Sequence, residues 1–178
     1  VGPQTQLYRS PAMDDNPMGK SAGSAGVVME DWQDSCHPDI LVVLAYWEGK
    51  RRGRKMPSRD DIDPTELVQF LPYLQLIEVV DDPRRFVYRL VGTMEVEIRG
   101  FDPTGKGIAE AYFAASAEAA LANYQKVCDL RAPFYEQDAF QAVDRYINEA
   151  NLFLPLSDDG EKVSKILVFS INRDLYQR

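Results

Sequence analysis

Apolar residues recur at helical spacing in two parts of the chain. The first pattern predicts a helix that begins near Pro38, since proline suits the first turn of a helix. Its apolar stripe consists of Ile40, Val43, Leu44 and Trp47. The second pattern predicts a long, alanine-rich helix over residues 112–130. Its apolar face carries Phe113, Ala117, Leu121, Tyr124 and Cys128.

Elsewhere the pattern has the two-residue period of β-strands. Two hairpins are predicted, one from residues 73–80 and 86–91 and one from residues 148–156 and 162–172, each around an Asp-rich turn. Residues 134–140 form a further predicted strand, and residues 93–98 a single helical turn before a glycine-rich loop. This order predicts an α+β fold, a five-stranded antiparallel sheet with helices on one face.

The last strand carries apolar residues on both of its faces. Leu167, Phe169 and Ile171 alternate with Ile166, Val168 and Ser170. Because a sheet with one solvated face alternates apolar and polar residues, the second face must be covered. The N-terminal helix is the available cap, and a second copy of the chain is the other candidate. We therefore predict a homodimer that uses Ile40, Val43, Leu44 and Trp47.

Three segments follow from these patterns. Residues 1–33 are rich in Pro, Gly, Ser and Asn and predict a flexible arm. Residues 34–72 predict a helical cap with a basic loop. They also include a short second helix capped by Asp63. The Glu66 side chain is expected to accept a hydrogen bond from the backbone amide of Asp63. Residues 73–174 hold the predicted sheet.

Charge is distributed unevenly. The net charge of −8 makes nucleic-acid binding an unlikely function, because an acidic surface repels phosphate. Residues 50–59, however, contain six of the 20 Lys and Arg residues and no acidic one. They predict either a solvated loop at the negative end of the first helix or a surface for an acidic partner. In the second case the contacts are Arg51, Arg52, Arg54 and Lys55.

The few cysteines and histidines, and the short apolar runs, limit which metal, disulfide or membrane functions are possible. Two cysteines and one histidine, His37, give no spacing typical of a metal site, and they do not form a disulfide framework. The longest apolar run, residues 40–47, is shorter than the roughly 20 residues of a membrane span. With no secretory signal recognised, we expect a cytoplasmic protein without membrane insertion.

The ordering of two hairpins around a loop-and-helix segment resembles a PAS domain. The sequence is similar to a family of short, single-domain bacterial PAS proteins with a Tyr-Trp helix and a Met-Pro-Ser-Arg loop. The motifs that carry the resemblance are Leu44-Ala45-Tyr46-Trp47, Met56-Pro57-Ser58-Arg59, Leu71-Pro72-Tyr73-Leu74, Tyr88-Arg89-Leu90-Val91-Gly92-Thr93 and Gly100-Phe101-Asp102-Pro103-Thr104-Gly105. In the last motif, Phe101 and Pro103 depart from the family pattern.

The resemblance implies a non-catalytic sensory or regulatory module that signals through contacts with an unidentified protein. It also implies a pocket between sheet and helices, in which we expect a small, mainly apolar ligand. We expect Arg89 to face solvent. Strand alternation and the apolar stripe of the long helix then predict which residues line the pocket. The candidates are Tyr88, Leu90, Thr93, Phe113 and Tyr124.

The sequence lacks the residues that bind the known cofactors of PAS domains. The flavin photosensors of this fold use an Asn-Cys-Arg motif that is absent, and Cys128 suits a small core residue. A haem would need an axial ligand, whereas His37 lies before the sheet and suits a helix start. We expect no haem, flavin or metal.

Two other functions remain open from the residues. An adaptor without a ligand would dock an acidic partner through the basic loop at 50–59. A small cavity enzyme would use Asp138 and Glu149 with Tyr88 or Tyr124, provided that their surroundings separate the pKa values of the two carboxyls. A buried carboxylate within hydrogen-bond reach of a tyrosine would favour the enzyme.

Overall fold

The computed structural model describes residues 32–111, 116–141, 146–174 and 176, without the side chains of 139–141 and 146. Its helices are α1 (Pro38–Arg51), α2 (Thr93–Arg99) and α3 (Ala117–Leu130). Its strands are β1 (Leu74–Val79), β2 (Phe86–Val91), β3 (Phe134–Gln141), β4 (Tyr146–Leu156) and β5 (Lys165–Asn172). The predicted arm, residues 1–33, lies almost wholly outside the described residues.

The five strands form one antiparallel sheet in the order β2-β1-β5-β4-β3. The last strand in the sequence, β5, therefore lies at the centre of the sheet. All but the first of its residues are buried, as expected from apolar residues on both faces. The predicted α+β fold with a five-stranded antiparallel sheet is confirmed.

We call the face of the sheet that carries Phe169 and Leu167 the outer face, and α1 covers it. The indole of Trp47 donates a 2.9 Å hydrogen bond to the carbonyl oxygen of Pro155 in β4. Phe70, from the segment before β1, packs edge-on against Phe169. Burial of large apolar side chains contributes about 1.5–3 kcal/mol each, so this contact stabilises the fold substantially.

The structure corrects the predicted dimer surface. Ile40, Val43, Leu44 and Trp47 have at most 8% of their surface exposed, because they pack within the chain's own core. These four side chains are therefore not available to a second copy in this structure. A homodimer stays a prediction, without these residues as its surface.

The start of α1 agrees with the sequence, and the predicted second helix forms at the predicted cap but only as a four-residue 3₁₀ helix. His37 caps α1, its Nδ1 accepting a hydrogen bond from the Asp39 amide. Asp63 caps only a 3₁₀ turn, Pro64–Leu67, followed by a second turn at Leu71–Tyr73. The Glu66 carboxylate does not accept the predicted hydrogen bond from the Asp63 amide, since it pairs with Lys50 at 2.6 Å.

Candidate functional site

The opposite, inner face of the sheet encloses a cavity of about 90 Å³ beneath α2 and α3. Most of the side chains that line it are polar, in contrast to the apolar outer face. The polar lining residues are Gln75, Tyr88, Glu95, Arg99, Asn123, Tyr124, Glu136, Asp138, Glu149 and Asn151. A cavity of this size holds a few water molecules or a molecule of a few non-hydrogen atoms, at about 30 Å³ per water.

Gln75 of β1 is the central hydrogen-bonding residue of the cavity. Its amide nitrogen donates to the Glu95 carboxyl at 3.2 Å and to the Ser170 hydroxyl at 3.1 Å. Its amide oxygen accepts a 3.3 Å bond from Arg99. Gln75 is buried, and buried amides are expected to have such partners. It therefore links α2 to two strands of the sheet.

The network continues across the sheet from β5 to β4. The Ser170 hydroxyl donates to the amide oxygen of Asn151 at 2.6 Å. The amide nitrogen of Asn151 donates to the Glu149 carboxyl at 3.1 Å. Ser170 and Asn151 are each at least 91% buried. Their hydrogen bonds therefore fix the orientation of the Glu149 carboxyl in the cavity.

Arg99 brings a guanidinium group into the cavity, and the distances to its partners are long. It donates to the Tyr88 hydroxyl at 3.3 Å and stands 5.2 Å from the centre of that ring. The shortest distance from its nitrogens to the Glu95 carboxylate is 3.8 Å, beyond hydrogen-bond length. Its buried Nε has no hydrogen-bond acceptor among the residues that the structure describes. The cavity thus holds a cation whose donors are incompletely used.

Four carboxyl groups line the cavity together with Arg99. Burial raises the pKa of Glu95 to about 8, with the charge of Glu149 adding to the shift and Arg99 opposing it. Burial likewise raises the pKa of Glu149 and of Glu136, although Asn123 donates to Glu136 at 2.7 Å. Asp138 lies at the exposed rim. Such crowding of carboxyls in a cleft is typical of functional sites.

The position of α2 depends on one glycine. Gly92 precedes the helix, and its amide donates to the Leu74 carbonyl at 2.7 Å. A Cβ at this position would come within 2.3 Å of the Pro72 carbonyl oxygen, which no real side chain tolerates. The Val-Gly-Thr end of β2 thereby fixes where Glu95 and Arg99 enter the cavity.

Of the predicted lining residues, Tyr88 and Tyr124 line the cavity and Leu90 does not. Leu76 pairs with Leu90, whereas the next residue, Ile77, pairs with Tyr88, leaving Arg89 as an extra residue. This β-bulge reverses the alternation, so Leu90 points to the outer face with 49% of its surface exposed. Thr93 starts α2 and is exposed. Phe113 lies outside the described residues.

Sequence reasoning missed the polar character of the cavity. The expected lining was mainly apolar, whereas Gln75, Glu95, Arg99 and Asn151 dominate it. A signal was present, because Gln75, Asn151 and Ser170 are polar residues next to apolar inner positions of their own strands, Ile77, Phe153 and Val168. Glu95 and Arg99, four residues apart, fall on one face of a short helix.

The carboxyls and tyrosines of the enzyme hypothesis do meet in this cavity. Asp138, Glu149, Tyr88 and Tyr124 all line it. The hydroxyl of Tyr88, however, receives its hydrogen bond from Arg99 rather than meeting a carboxylate. Burial raises the pKa of both tyrosines, which favours their neutral forms.

The basic loop is largely neutralised within the chain. Lys50 pairs with Glu66 at 2.6 Å and Arg51 with Glu48 at 2.7 Å. Arg54 pairs with Asp61 at 2.6 Å, and its guanidinium also donates to two backbone carbonyls at the end of α1. Of the four predicted partner-binding residues, Arg52 and Lys55 are the exposed ones without an acidic contact among the ion pairs of the described residues.

A second, smaller cavity of about 70 Å³ opens on the outer face. It is lined mainly by leucines, among them Leu67, Leu71, Leu76, Leu90 and Leu167. Arg59 is its one charged lining residue, and the guanidinium donates to the Ile62 carbonyl. This cavity is where the strand bulge directs Leu90.

Metal and membrane sites were also sought. Within the described parts of the chain, His, Cys, Asp and Glu form no group of three or more that could hold a metal ion. No helix in those same parts is long and apolar enough to cross a membrane. Burial raises the pKa of the Cys128 thiol to about 11, which disfavours the reactive thiolate.

Comparison with known proteins identifies the family. The sequence matches the PAS domain family over residues 36–169, most of the chain, and the protein belongs to that family. PAS domains are sensory or regulatory modules and are generally not enzymes. Many mediate dimerisation or contacts with signalling partners. No curated protein matches the sequence.

Solved structures with a similar fold share little sequence with this chain. The PAS domain of BvgS from Bordetella pertussis is 16% identical, with a TM-score of 0.47, covering 66% of this chain and 90% of its own. The LOV protein of Rhodobacter sphaeroides is 10% identical (TM-score 0.46; 64% and 70% covered). The PAS domain of the fruit-fly ELK potassium channel is 12% identical (TM-score 0.46; 62% and 95% covered). At this similarity we take nothing further from them.

Proposed function

We propose that this protein is a non-catalytic sensory module that binds a small polar molecule in the inner cavity and signals through contacts with another protein. The supporting observation is the cavity itself, a partly open space of about 90 Å³ lined by ten polar residues in a domain whose other face is packed with apolar side chains. Ligand pockets need a few well-placed polar groups, and this one has an excess of them.

The charges of the cavity favour a ligand that carries a cationic or hydrogen-donating group. Among the described lining residues, four carboxyls, those of Glu95, Glu136, Asp138 and Glu149, face a single guanidinium, that of Arg99. An ammonium group near Glu149 and Asp138 would compensate their repulsion, whereas a carboxylate would add to it. This replaces the mainly apolar ligand expected from the sequence.

The size of the cavity argues against a large cofactor in this conformation. Pockets for drug-sized ligands measure about 300–1,000 Å³, several times the volume found here. Haem and flavin are larger still than many such ligands. We therefore keep the prediction of a protein without haem or flavin, and of no metal, as part of the proposal.

The output of the module would be a contact with a signalling protein. Arg52 and Lys55 are the proposed contact residues of the basic loop, because the neighbouring Arg51 and Arg54 already pair with Glu48 and Asp61. An acidic partner fits these two cations. The adaptor function thus becomes the output side of the sensor rather than an alternative to it.

Three probes of similar size and different charge test the ligand class: ethylammonium, ethanol and acetate. We expect ethylammonium to raise the melting temperature of the intact chain and to give a saturable calorimetric signal, because ligands that bind only the folded state stabilise it. Acetate should do neither. Glu149→Gln should weaken the ethylammonium effect at least several-fold.

The matched control is Glu97→Gln, which removes a carboxylate from the exposed side of α2. It should leave the ethylammonium effect unchanged. Acetate binding in preference to ethylammonium would contradict the proposed ligand class. Failure of all three probes to bind at millimolar concentration would contradict a polar ligand site in this cavity.

A further inference from the structure

The geometry around Glu95 and Arg99 does not resemble an ordinary ion pair. Both residues lie on α2, four positions apart, with side chains only 4% and 11% exposed. Their closest charged atoms are nevertheless 3.8 Å apart, while within the described parts of the chain the buried Nε of Arg99 has no acceptor. A buried guanidinium with an unused donor would be drawn to an adjacent carboxylate. Its failure to close on Glu95 is the arrangement expected beside a neutral carboxyl.

Arg99 instead directs its terminal nitrogens to the sheet. It donates to the Tyr88 hydroxyl in β2 and to the Gln75 amide oxygen in β1, both at 3.3 Å. These two bonds are long, so they compete weakly with a charged acceptor. Glu95 accepts a bond from the same Gln75, which is a neutral donor.

We propose that Glu95 is a proton-operated switch that determines whether Arg99 is held by the sheet or by its own helix. With the proton on Glu95, Arg99 donates to Tyr88 and Gln75. When Glu95 releases the proton to solvent, its carboxylate attracts the guanidinium across the 3.8 Å gap, and the contacts with Tyr88 and Gln75 are lost.

The end of α2 is the part of the chain that this exchange would free. The start of the helix is fixed, because Gly92 is bonded to Leu74 and packed against Pro72. The last residue is Arg99, and Gly100 follows it in the left-handed region with a φ of 77°. The hydrogen bonds of Arg99 to β1 and β2 therefore join the end of the helix to the sheet.

The charged surroundings keep Glu95 neutral near physiological pH. Ionisable groups reach the cavity from α2, α3, β2, β3 and β4, and among the lining residues that the structure describes Arg99 is the one cation. They are Arg99, Tyr88, Tyr124, Glu136, Asp138 and Glu149. Burial and the charge of Glu149 outweigh Arg99, and the pKa of Glu95 is accordingly about 8. Small changes of pH or of local charge would thus change its protonation.

This switch uses the cavity of the proposed ligand site but needs no ligand, so it is tested on the ligand-free chain. Nuclear magnetic resonance can follow the Arg99 Nε–Hε group and the Tyr88 ring between pH 6 and 9. We expect both signals to shift with a common midpoint near pH 8. In Glu95→Gln both shifts should be lost, and the signals should match the low-pH wild type. Glu97→Gln should behave as the wild type does.

Persistence of the transition in Glu95→Gln, or its absence from the wild type, would overturn the proposal. If Glu95→Gln does not fold, carboxyl carbon signals of the ¹³C-glutamate-labelled wild type provide the second measurement. One glutamate midpoint above pH 6 is then expected, and all midpoints below pH 6 would refute the switch. Neither result depends on whether ethylammonium binds, so this proposal and the ligand proposal fail separately.

Discussion

The two faces of the sheet are covered in opposite ways. On the outer face, Trp47 and its neighbours on α1 seal the strands with apolar side chains, and the indole finds its one hydrogen-bond partner. On the inner face, a short helix brings Glu95 and Arg99 into a cavity where charges are buried but poorly matched. Well-packed apolar contacts stabilise a fold, whereas buried unmatched charges destabilise it and are retained where a function needs them. We therefore assign stability to the outer face and sensing to the inner face.

The largest expected effect is on the outer face. Trp47→Ala should lower the free energy of unfolding by about 3–5 kcal/mol, because it removes a fully buried ring and leaves a void. Leu41→Ala, on the exposed side of the same helix, should change it by less than about 1 kcal/mol. Chemical denaturation measures both. A Trp47 variant as stable as the wild type would refute the role of α1 as a seal.

The next effect concerns the placement of α2. Gly92→Ala should destabilise the chain by about 1–3 kcal/mol, because its Cβ would overlap the Pro72 carbonyl. Gly49→Ala is the matched control. That glycine lies inside α1 with no atom near the added Cβ, so alanine should stabilise by about 0.5–1 kcal/mol. Thermal unfolding of the two variants should therefore move in opposite directions, and movement in the same direction would contradict this packing.

The pH dependence of stability is the next effect; it is smaller per pH unit, about 1 kcal/mol, but accumulates over the range in which Glu95 titrates. The folded chain holds the Glu95 proton up to about pH 8, whereas the unfolded chain loses it near 4.5. Because the folded state binds more protons between these values, raising the pH through this range should reduce stability. Glu95→Gln removes this contribution, so its stability relative to the wild type should grow from pH 5 to pH 8. A constant difference across that range, in urea titrations, would show that Glu95 ionises normally.

The smallest effect is expected in the basic loop. Arg52→Ala and Lys55→Ala should each change stability by less than about 0.5 kcal/mol, since both side chains are exposed. Arg54→Ala should be more destabilising than either, because it leaves Asp61 without its 2.6 Å partner. Equal effects of all three variants would mean that the loop is not organised by the Arg54–Asp61 pair.

Element types were predictable because their patterns are local. The period of apolar residues located α1 and both hairpins, and the apolar residues on both faces of β5 predicted that each face of the sheet would be covered. The short helix after Asp63 was predicted at the right cap, but its 3₁₀ form and the pairing of Glu66 with Lys50 at the end of α1 were not. The face of Leu90 depended on a one-residue bulge at Arg89, which strand alternation alone does not reveal.

The site was less predictable than the fold. Tyr88 and Tyr124, two of the predicted pocket residues, line the inner cavity because they lie on regular elements. The charges that give the cavity its chemistry come from residues far apart in the sequence, so their meeting depends on sheet order. Glu95 and Glu149 lie on α2 and β4, and only the pairing of β4 with β5 and of β5 with β1 brings these two elements together.

The most direct test of the central claim is to locate where a small polar cation binds. Ethylammonium can be titrated into the ¹⁵N-labelled intact chain while amide and side-chain shifts are followed. The proposal that the inner face is the sensing face predicts shifts around Gln75, Glu95 and Asn151 and none around Leu71 and Leu90 at the outer cavity. Shifts confined to the outer cavity, or the same shifts in Glu149→Gln as in the wild type, would contradict it.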